Sequence, residues 1–181
     1  GEYMRAMEQK AMAEVITQIL YPADNHREGK SLRLSQQYFL ASASVQDIVK
    51  RHLEQFGTLD NLPDMAAIHI NDTHPTLAIP ELMRIMLDEC GYAWDDAWSI
   101  ITRTMAYTNH TVMGEALEKW NLDLLGSVVP EIVDIILRLD AKLRSEHPNL
   151  FIVKDHTAHM ANLSVYVGSY VNGVAEIHSQ I

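Results

Sequence analysis

Residues 67–89, AIHINDTHPTLAIPELMRIMLDE, constrain the fold more than any other stretch of the chain. They begin as a short apolar run, pass through a polar cluster that ends in a proline, and resume with apolar residues at helical spacing. A buried strand, a turn and an amphipathic helix give this pattern. The order strand, turn, helix is typical of α/β proteins, in which such a polar break lies beyond the carboxyl end of a strand.

The rest of the chain is mostly helical by pattern. Helices are predicted over about 2–20, 32–56, 80–91, 95–107 and 124–145, with one or two further turns in 114–120. Short strands are predicted at about 66–70 and 151–153. Two strands do not make a sheet, and neither end of the sequence carries a capping signal. We therefore expect an α/β fragment of one domain whose remaining strands lie in a longer chain.

Single residues set several of the predicted helix ends. Asp95 is a natural N-cap for the helix that runs to about Tyr107, and Pro80 suits the first turn of the helix before it. Pro130 is expected in the first turn of the helix at 124–145. Glu115 and Glu118 lie three positions apart in the short helical stretch, where solvated carboxylates are the simplest interpretation.

The composition limits the class of function. The 181 residues include 14 Lys and Arg against 24 Asp and Glu, and the net charge of -10 disfavours a broad grip on nucleic acid or an anionic membrane. No apolar stretch reaches the roughly 20 residues that a membrane span needs. Cys90 is the single cysteine and cannot form an internal disulfide, so we expect a buried thiol in a soluble, cytoplasmic protein.

Two polar clusters are candidates for chemistry. Asp72 and His74 follow the first predicted strand, where ligands bind in open α/β sheets, although Asn and Asp are equally ordinary turn formers. Asn109 and His110 stand where one predicted helix stops and another starts, and bonding to free backbone groups is the simpler interpretation there. A metal site built from Asp72, His74 and His110 is disfavoured because their spacing matches no metal motif.

Four longer runs carry a resemblance to a known family. In order they are SLRLSQQYFLASASVQDIVKRH, IHINDTHPTLAIPELMRIMLDE, WDDAWSIITRTMAYTNHTVMGEALEKW and VNGVAEIHSQI. Together they closely resemble the α-glucan phosphorylases, that is, the glycogen, starch and maltodextrin phosphorylases, over nearly the whole chain. The resemblance implies that residues 1–181 are the later part of the N-terminal lobe, a single partial domain of the Rossmann-like lobe of a GT-B-type glycosyltransferase fold.

The resemblance also implies a reaction and a cofactor. Members of the family transfer the terminal glucosyl unit of an α-1,4-glucan to inorganic phosphate, reversibly and with retention, giving α-glucose 1-phosphate. Pyridoxal phosphate acts through its phosphate group as a proton relay, on a lysine in a GTGNMK-like segment of the C-terminal lobe. Nothing like that segment occurs here. The fragment alone is therefore expected to be inactive, with no cofactor-binding residue.

The implied partners are the glucan, inorganic phosphate, the C-terminal lobe of the same protein and, for the complete enzyme, a second copy in a homodimer. Two alternatives stay open at this stage. One is a module that binds glucan without chemistry, and the other is a non-catalytic helical scaffold.

The same resemblance assigns roles to individual residues. His110 is the catalytic candidate, its ring reaching the 6-hydroxyl of the transferred glucosyl unit and its carbonyl facing the anomeric region where positive charge develops. The implied sugar contacts are Asn25 at the 2-hydroxyl, Asp24 in a gate, Val174 in the glucosyl pocket, and Tyr21, Arg33, Asp72, His74, Glu115 and Ala116 at the acceptor-side sugars. An aromatic face together with directional polar groups suits a neutral, hydroxyl-rich ligand.

Overall fold

A computed structural model describes residues 2–18, 25–110 and 117–173. The helices in these ranges are α1 (Glu2–Gln18), α2 (Arg27–Phe56), α3 (Leu62–Met65), α4 (Ala78–Arg84), α5 (Trp94–Thr104), α6 (Leu122–Val128), α7 (Pro130–Glu146) and α8 (Met160–Val167), with a π-helical turn (Ile85–Glu89) directly after α4. The strands are β1 (Ile68–Asn71), β2 (Met105–Asn109), β3 (Lys119–Asn121), β4 (Val153–Lys154), β5 (Thr157–His159) and β6 (Tyr170–Gly173). The mostly helical α/β class predicted from the sequence is confirmed.

The strands form two small sheets. One has the order β1-β2-β6 and is parallel, with Ile68 opposite Met105 and Ala106 opposite Tyr170. The other has the order β3-β5-β4 and is antiparallel. The chain passes from β1 to β2 through α4, the π-helical turn and α5, since parallel neighbours need a long crossover. The carboxyl ends of β1, β2 and β6 therefore meet at one edge, called the carboxyl edge below.

The core lies around α4, which contacts α2, α5 and α7. Its residues Ala78, Ile79, Leu82 and Met83 are buried, as is Ile70 of β1. Burying each large aliphatic side chain is worth about 1.5–3 kcal/mol, so these contacts hold α4 firmly in the fold. Within the described ranges, no helix is both long enough and apolar enough to cross a membrane.

The region after α5 differs from the prediction of one helix from Asp95 to Tyr107. The N-cap is Ala93, two residues before the predicted Asp95, and Asp95 lies in the first turn of the helix. The helix ends at Thr104, and the following five residues form β2. The reason is tertiary: β2 hydrogen-bonds with β1 on one side and β6 on the other, which no local periodicity reveals.

The predicted helix at 124–145 is two helices. The chain breaks at Val129, which has φ -143 and ψ 86, because the following Pro130 disfavours the helical region for the residue before it. Asn121 caps the first of the two helices by accepting from the backbone amides of Asp123 and Leu124. The helical turns predicted up to residue 120 are also wrong at their end, where Lys119 and Trp120 lie in β3.

Other predictions hold with small changes. The helix predicted at 32–56 begins earlier, at Arg27, and ends as expected before Gly57, whose φ of 71 is readily adopted by glycine. Pro80 lies in the first turn of α4. Cys90, expected to be buried, is only partly so, because it lies just past the π-helical turn, near the surface. Partial burial, together with the nearby charge of Glu89, raises the pKa of its thiol.

Candidate functional site

The carboxyl edge brings together the turn that follows β1 and His110, the residue that follows β2. Asp72 comes directly after β1, and one of its carboxylate oxygens accepts a hydrogen bond from the backbone amide of His110 at 2.7 Å. Its own backbone amide donates to the carbonyl of Thr108 in β2 at 2.8 Å. Asp72 has a left-handed φ of 59, a conformation that Asp tolerates better than most residues. Asp72 thus links the start of the turn after β1 to the carboxyl end of β2.

The turn after Asp72 has buried side chains that anchor it and an exposed side chain between them. Thr73 and Thr76 are buried, whereas His74 between them is exposed. The hydroxyl of Thr76 shares a hydrogen bond of 3.0 Å with that of Ser164 in α8. His74 and His110 therefore both stand exposed on rigidly held backbone at the carboxyl edge, where a ligand can reach them.

Tyr107 lies in β2 beneath this edge. Its side chain is buried, and its hydroxyl has no hydrogen-bond partner among the residues that the structure describes. Burial first, and then the negative charge of Asp72, raise the pKa of Tyr107 to about 12. The phenol is therefore neutral at physiological pH, and the middle strand carries an unpaired polar group close to the candidate site.

A second polar cluster joins α2 to the segment before β3. A single carboxylate oxygen of Glu118 accepts from the guanidinium of Arg33 and, at 2.9 Å, from the amide of Gln37. The prediction that Glu118 is a solvated carboxylate is wrong, because this pairing leaves its side chain only 10% exposed. The signal available in the sequence was the spacing of Arg33 and Gln37, one helical turn apart on the same face of α2.

The other predicted site residues lie in different places. Asn25 is exposed just before α2, whose N-cap, His26, accepts from the backbone amide of Gly29. Asp72 and His110 are the pair of candidates that the described part of the chain brings into direct contact. The candidates outside the described residues are Tyr21, Asp24, Glu115, Ala116 and Val174. In the ranges that the structure covers, no three His, Cys, Asp or Glu side chains cluster so that they could hold a metal ion.

Comparison with known proteins identifies the family of the chain. The family described as carbohydrate phosphorylase matches residues 1–181. The chain is 45% identical to the alpha-glucan phosphorylase H isozyme of Solanum tuberosum and 42% identical to that of Triticum aestivum. It is also 42% identical to the glycogen phosphorylase of Chlamydia trachomatis. All of this chain is covered in each comparison, but it spans only 24% of the length of these relatives. The resemblance predicted from the four sequence runs is confirmed, and the chain belongs to the carbohydrate phosphorylase family.

Proposed function

We propose that this chain is part of an α-glucan phosphorylase that cleaves terminal glucosyl units from an α-1,4-glucan. In the reaction, the bond from C1 to the 4-oxygen of the next sugar breaks, a bond from C1 to a phosphate oxygen forms with retention, and the 4-oxygen takes up a proton. The match to proteins named alpha-glucan and glycogen phosphorylase across the whole chain carries the proposal. These names favour the enzyme over the predicted alternative of a non-catalytic glucan-binding module.

We infer further that residues 1–181 belong to the N-terminal lobe of a two-lobed GT-B fold, as one partial, Rossmann-like domain. Two features support this placement. The sheet β1-β2-β6 is parallel, and helices make the crossover from β1 to β2. Polar residues gather at its carboxyl edge, the side on which ligands bind in open sheets of this kind.

His110 and Asp72 are the proposed centre of the sugar-binding wall. The bond from the amide of His110 to the carboxylate of Asp72 fixes the backbone after β2 relative to β1. A fixed backbone suits the proposed role, in which the His110 carbonyl faces the carbon where positive charge develops and its ring reaches the 6-hydroxyl. Preorganised groups of this kind stabilise a transition state without rearranging during the reaction.

The remaining candidates are proposed to bind hydroxyl groups or ring faces of the glucan. Asn25 and His74 are exposed, as such contacts require, and Arg33 is 32% exposed beside Glu118. The proposal extends to the candidates in segments outside the described residues, which are Tyr21, Asp24, Glu115, Ala116 and Val174. A neutral glucan needs directional hydrogen bonds more than net charge, which agrees with the overall charge of -10.

The proposed cofactor, pyridoxal phosphate, would be held elsewhere in the complete protein. A Schiff-base lysine lies in an enclosed site, and the exposure of the six lysines in this fragment supports a location elsewhere. Lys142 is partly exposed and paired with Glu146, and the others are exposed: Lys10, Lys30, Lys50, Lys119 and Lys154. When bound, the cofactor would supply its phosphate group as a proton relay. We therefore propose that its lysine lies in the C-terminal lobe, outside this chain.

The complete enzyme is proposed to be a cytoplasmic homodimer. One relative, from Arabidopsis thaliana, is named as a cytosolic alpha-glucan phosphorylase. The helix α1 exposes Met4, Met7, Met12 and Val15, an apolar surface that supports burial against another lobe or another copy in the complete protein.

The test is phosphate-dependent release of glucose 1-phosphate from maltoheptaose by the full-length protein. The assay is run with pyridoxal phosphate bound and again after the cofactor has been removed. We expect release that requires both phosphate and the cofactor. Saturable binding of maltoheptaose without release would instead identify a glucan-binding relative and overturn the enzyme proposal.

A further inference from the structure

Glu118 is held at both its backbone and its side chain. Its backbone carbonyl accepts from the amide of Met160, the first residue of α8, at 3.1 Å. Its side chain reaches α2, where it binds Arg33 and Gln37. The residue therefore connects two elements that are far apart in the sequence, and it fixes the direction of Arg33 relative to the body of the fold.

The ion pair of Glu118 and Arg33 is largely removed from water. The two side chains are 10% and 32% exposed, whereas the pair of Asp47 and Arg51 on the outside of α2 is 55% and 78% exposed. Exposed pairs are screened and contribute little to stability or geometry, whereas a shielded charge-assisted bond holds its partners firmly. An Arg guanidinium is planar, so fixing one of its nitrogens sets the direction of the others.

Only one of the two carboxylate oxygens of Glu118 accepts hydrogen bonds from the described residues. The oxygen that faces α2 accepts the bonds from Arg33 and Gln37, and the second oxygen is buried with no donor among the described residues. A carboxylate can accept about four hydrogen bonds, and buried polar atoms are nearly always paired. Burying a carboxylate costs free energy unless it is paired, and the pairing that offsets this cost also fixes the orientation of Arg33.

We propose that Glu118 is a positioning residue that acts through Arg33 to set the affinity of the acceptor-side sugar subsite. This inference rests on the proposed function, in which Arg33 contacts the glucan. Glu118 itself touches no sugar in this scheme. It holds the guanidinium in the direction in which its N–H groups meet the hydroxyls of the bound chain. Loss of the carboxylate charge then weakens glucan binding while the bond-breaking step is left alone.

The test is a double-mutant cycle in the full-length enzyme with wild type, Glu118→Gln, Arg33→Ala and the double variant. We expect Glu118→Gln to raise KM for maltoheptaose about tenfold with kcat within about twofold, the pattern of lost binding without lost transition-state stabilisation. If Glu118 acts through Arg33, Glu118→Gln has no further effect on KM in the Arg33→Ala background. An equal increase of KM in both backgrounds would overturn the proposal.

Glu146→Gln is the matched control. Glu146, in α7, also accepts from one cation, Lys142, and one neutral donor, Tyr166, so the substitution is chemically equivalent. It should leave KM unchanged, and melting temperatures of all variants separate structural losses from changes in affinity. If the wild type releases no glucose 1-phosphate, the proposed function fails. Titration of the same four proteins with maltoheptaose then decides the inference from Kd: a loss for Glu118→Gln only when Arg33 is present supports it, and additive losses overturn it.

Discussion

The carboxylate of Asp72 accepts a hydrogen bond from the backbone amide of His110 at 2.7 Å and so joins the residues that directly follow two neighbouring parallel strands. Asp72 is also one of the non-glycine residues with a positive φ, 59. The side-chain hydrogen bond and the backbone conformation thus depend on the same residue. Their separate contributions to the stability of the fold can be measured by substitution.

Asp72→Ala should destabilise the full-length protein by about 2–4 kcal/mol, since it removes a hydrogen bond to a charged group and leaves alanine in a strained backbone conformation. Asp72→Gly removes the same bond without the strain, so its loss should be smaller by about 1 kcal/mol. Asp72→Asn keeps an acceptor and tolerates the left-handed region, and should be the mildest of the three. Chemical denaturation measures each change. Equal losses for the Ala and Gly variants would show that the backbone strain contributes nothing.

His110→Ala should lower kcat/KM of the complete enzyme. The decrease should correspond to a loss of about 2–4 kcal/mol of transition-state stabilisation, the scale of losing one well-placed polar group. Folding should be unaffected, because the backbone amide of His110, not its ring, binds Asp72. His147→Ala is the control: this exposed histidine follows α7 and has an extended φ of -137, which alanine adopts without strain. An unchanged kcat/KM for His110→Ala would remove the residue from the proposed site.

Glu81 is the most deeply buried acidic side chain that the structure describes, and it ties α2 to α4. It is 0% exposed, and it accepts from the hydroxyl of Tyr38 at 2.5 Å and from the guanidinium of Arg84. Glu81→Ala should destabilise the protein by about 3–5 kcal/mol, because it removes the buried partner of Arg84, whose side chain is 17% exposed, and leaves only the exposed Glu89 to pair with it. Glu89→Ala removes the exposed partner of the same arginine and should change stability by less than about 1 kcal/mol. Thermal unfolding of the two variants compares them directly.

The same cluster gives an acid-side prediction. Burial alone would raise the pKa of Glu81, but hydrogen bonds from Arg84, Tyr38 and Ser42 outweigh it and lower the pKa below its ordinary value of 4.5. A depressed carboxylate pKa contributes stability that is present above pH 4.5 and is lost as the pH falls through the folded-state value. The melting temperature of the wild type should therefore fall on acidification below pH 4.5. Glu81→Gln should weaken that dependence, and an unchanged pH profile would contradict this assignment.

The sequence predicted the strand, turn and helix at residues 67–89 because three independent local signals agree there. The apolar run marks β1, the polar cluster marks the turn, and Pro80 fits the first turn of α4. Residues 105–109 carry no such agreement, since Met105 continues the apolar spacing of α5. They become β2 only because β1 and β6 supply hydrogen-bonding partners from distant parts of the chain.

The candidate site shows the same division between local and distant causes. The polar positions after β1 were predicted from the pattern, and Asp72 and His110 were singled out, but their mutual contact was not. The sequence predicts a solvated Glu118 because the spacing of its neighbours in the short helical stretch gives no information on a contact with Arg33, which lies 85 positions away. Local spacing identifies the residue types of a site, whereas the pairing among them is decided by tertiary contacts.

Tyr107→Phe should stabilise the protein by about 1 kcal/mol at neutral pH, because it removes a buried hydroxyl that has no partner among the described residues. The pKa of Tyr107, raised to about 12 by burial and by Asp72, adds a pH dependence. The contribution of Tyr107 to the free energy of unfolding is fully present below pH 10.0, the ordinary pKa of the phenol. It is lost as the pH rises from there towards 12, because the phenol releases its proton more readily in the unfolded chain than in the folded one.

The Phe variant should therefore lose stability less steeply than wild type above pH 10. Some dependence remains, because burial and Glu81 also raise the pKa of Tyr38 to about 12. Melting temperatures between pH 8 and 11 test this. A variant that is less stable than wild type at neutral pH would show that the hydroxyl does find a partner.

Gly168 lies between the end of α8 and the start of β6, where the surrounding atoms leave no room for a side chain. A Cβ there would lie 2.9 Å from the carbonyl oxygen of Ser164 and 3.5 Å from the Cβ of Tyr107. Ser164 is buried and bonded to Thr76, so its backbone cannot move aside freely. Gly168→Ala should therefore destabilise the protein by about 1–3 kcal/mol through overpacking.

Gly126→Ala provides the matched substitution. Gly126 lies within α6, and its nearest neighbour would be a methyl group of Val133 at 3.7 Å, an ordinary contact distance. Alanine is the better helix former by about 0.5–1 kcal/mol, so this variant should be more stable than wild type. Opposite shifts in melting temperature for the two substitutions would show that the close contact of Gly168 with the carbonyl of Ser164, rather than a general effect of replacing glycine by alanine, causes the loss. Shifts of the same sign would mean that the backbone at Gly168 relaxes to admit the methyl group.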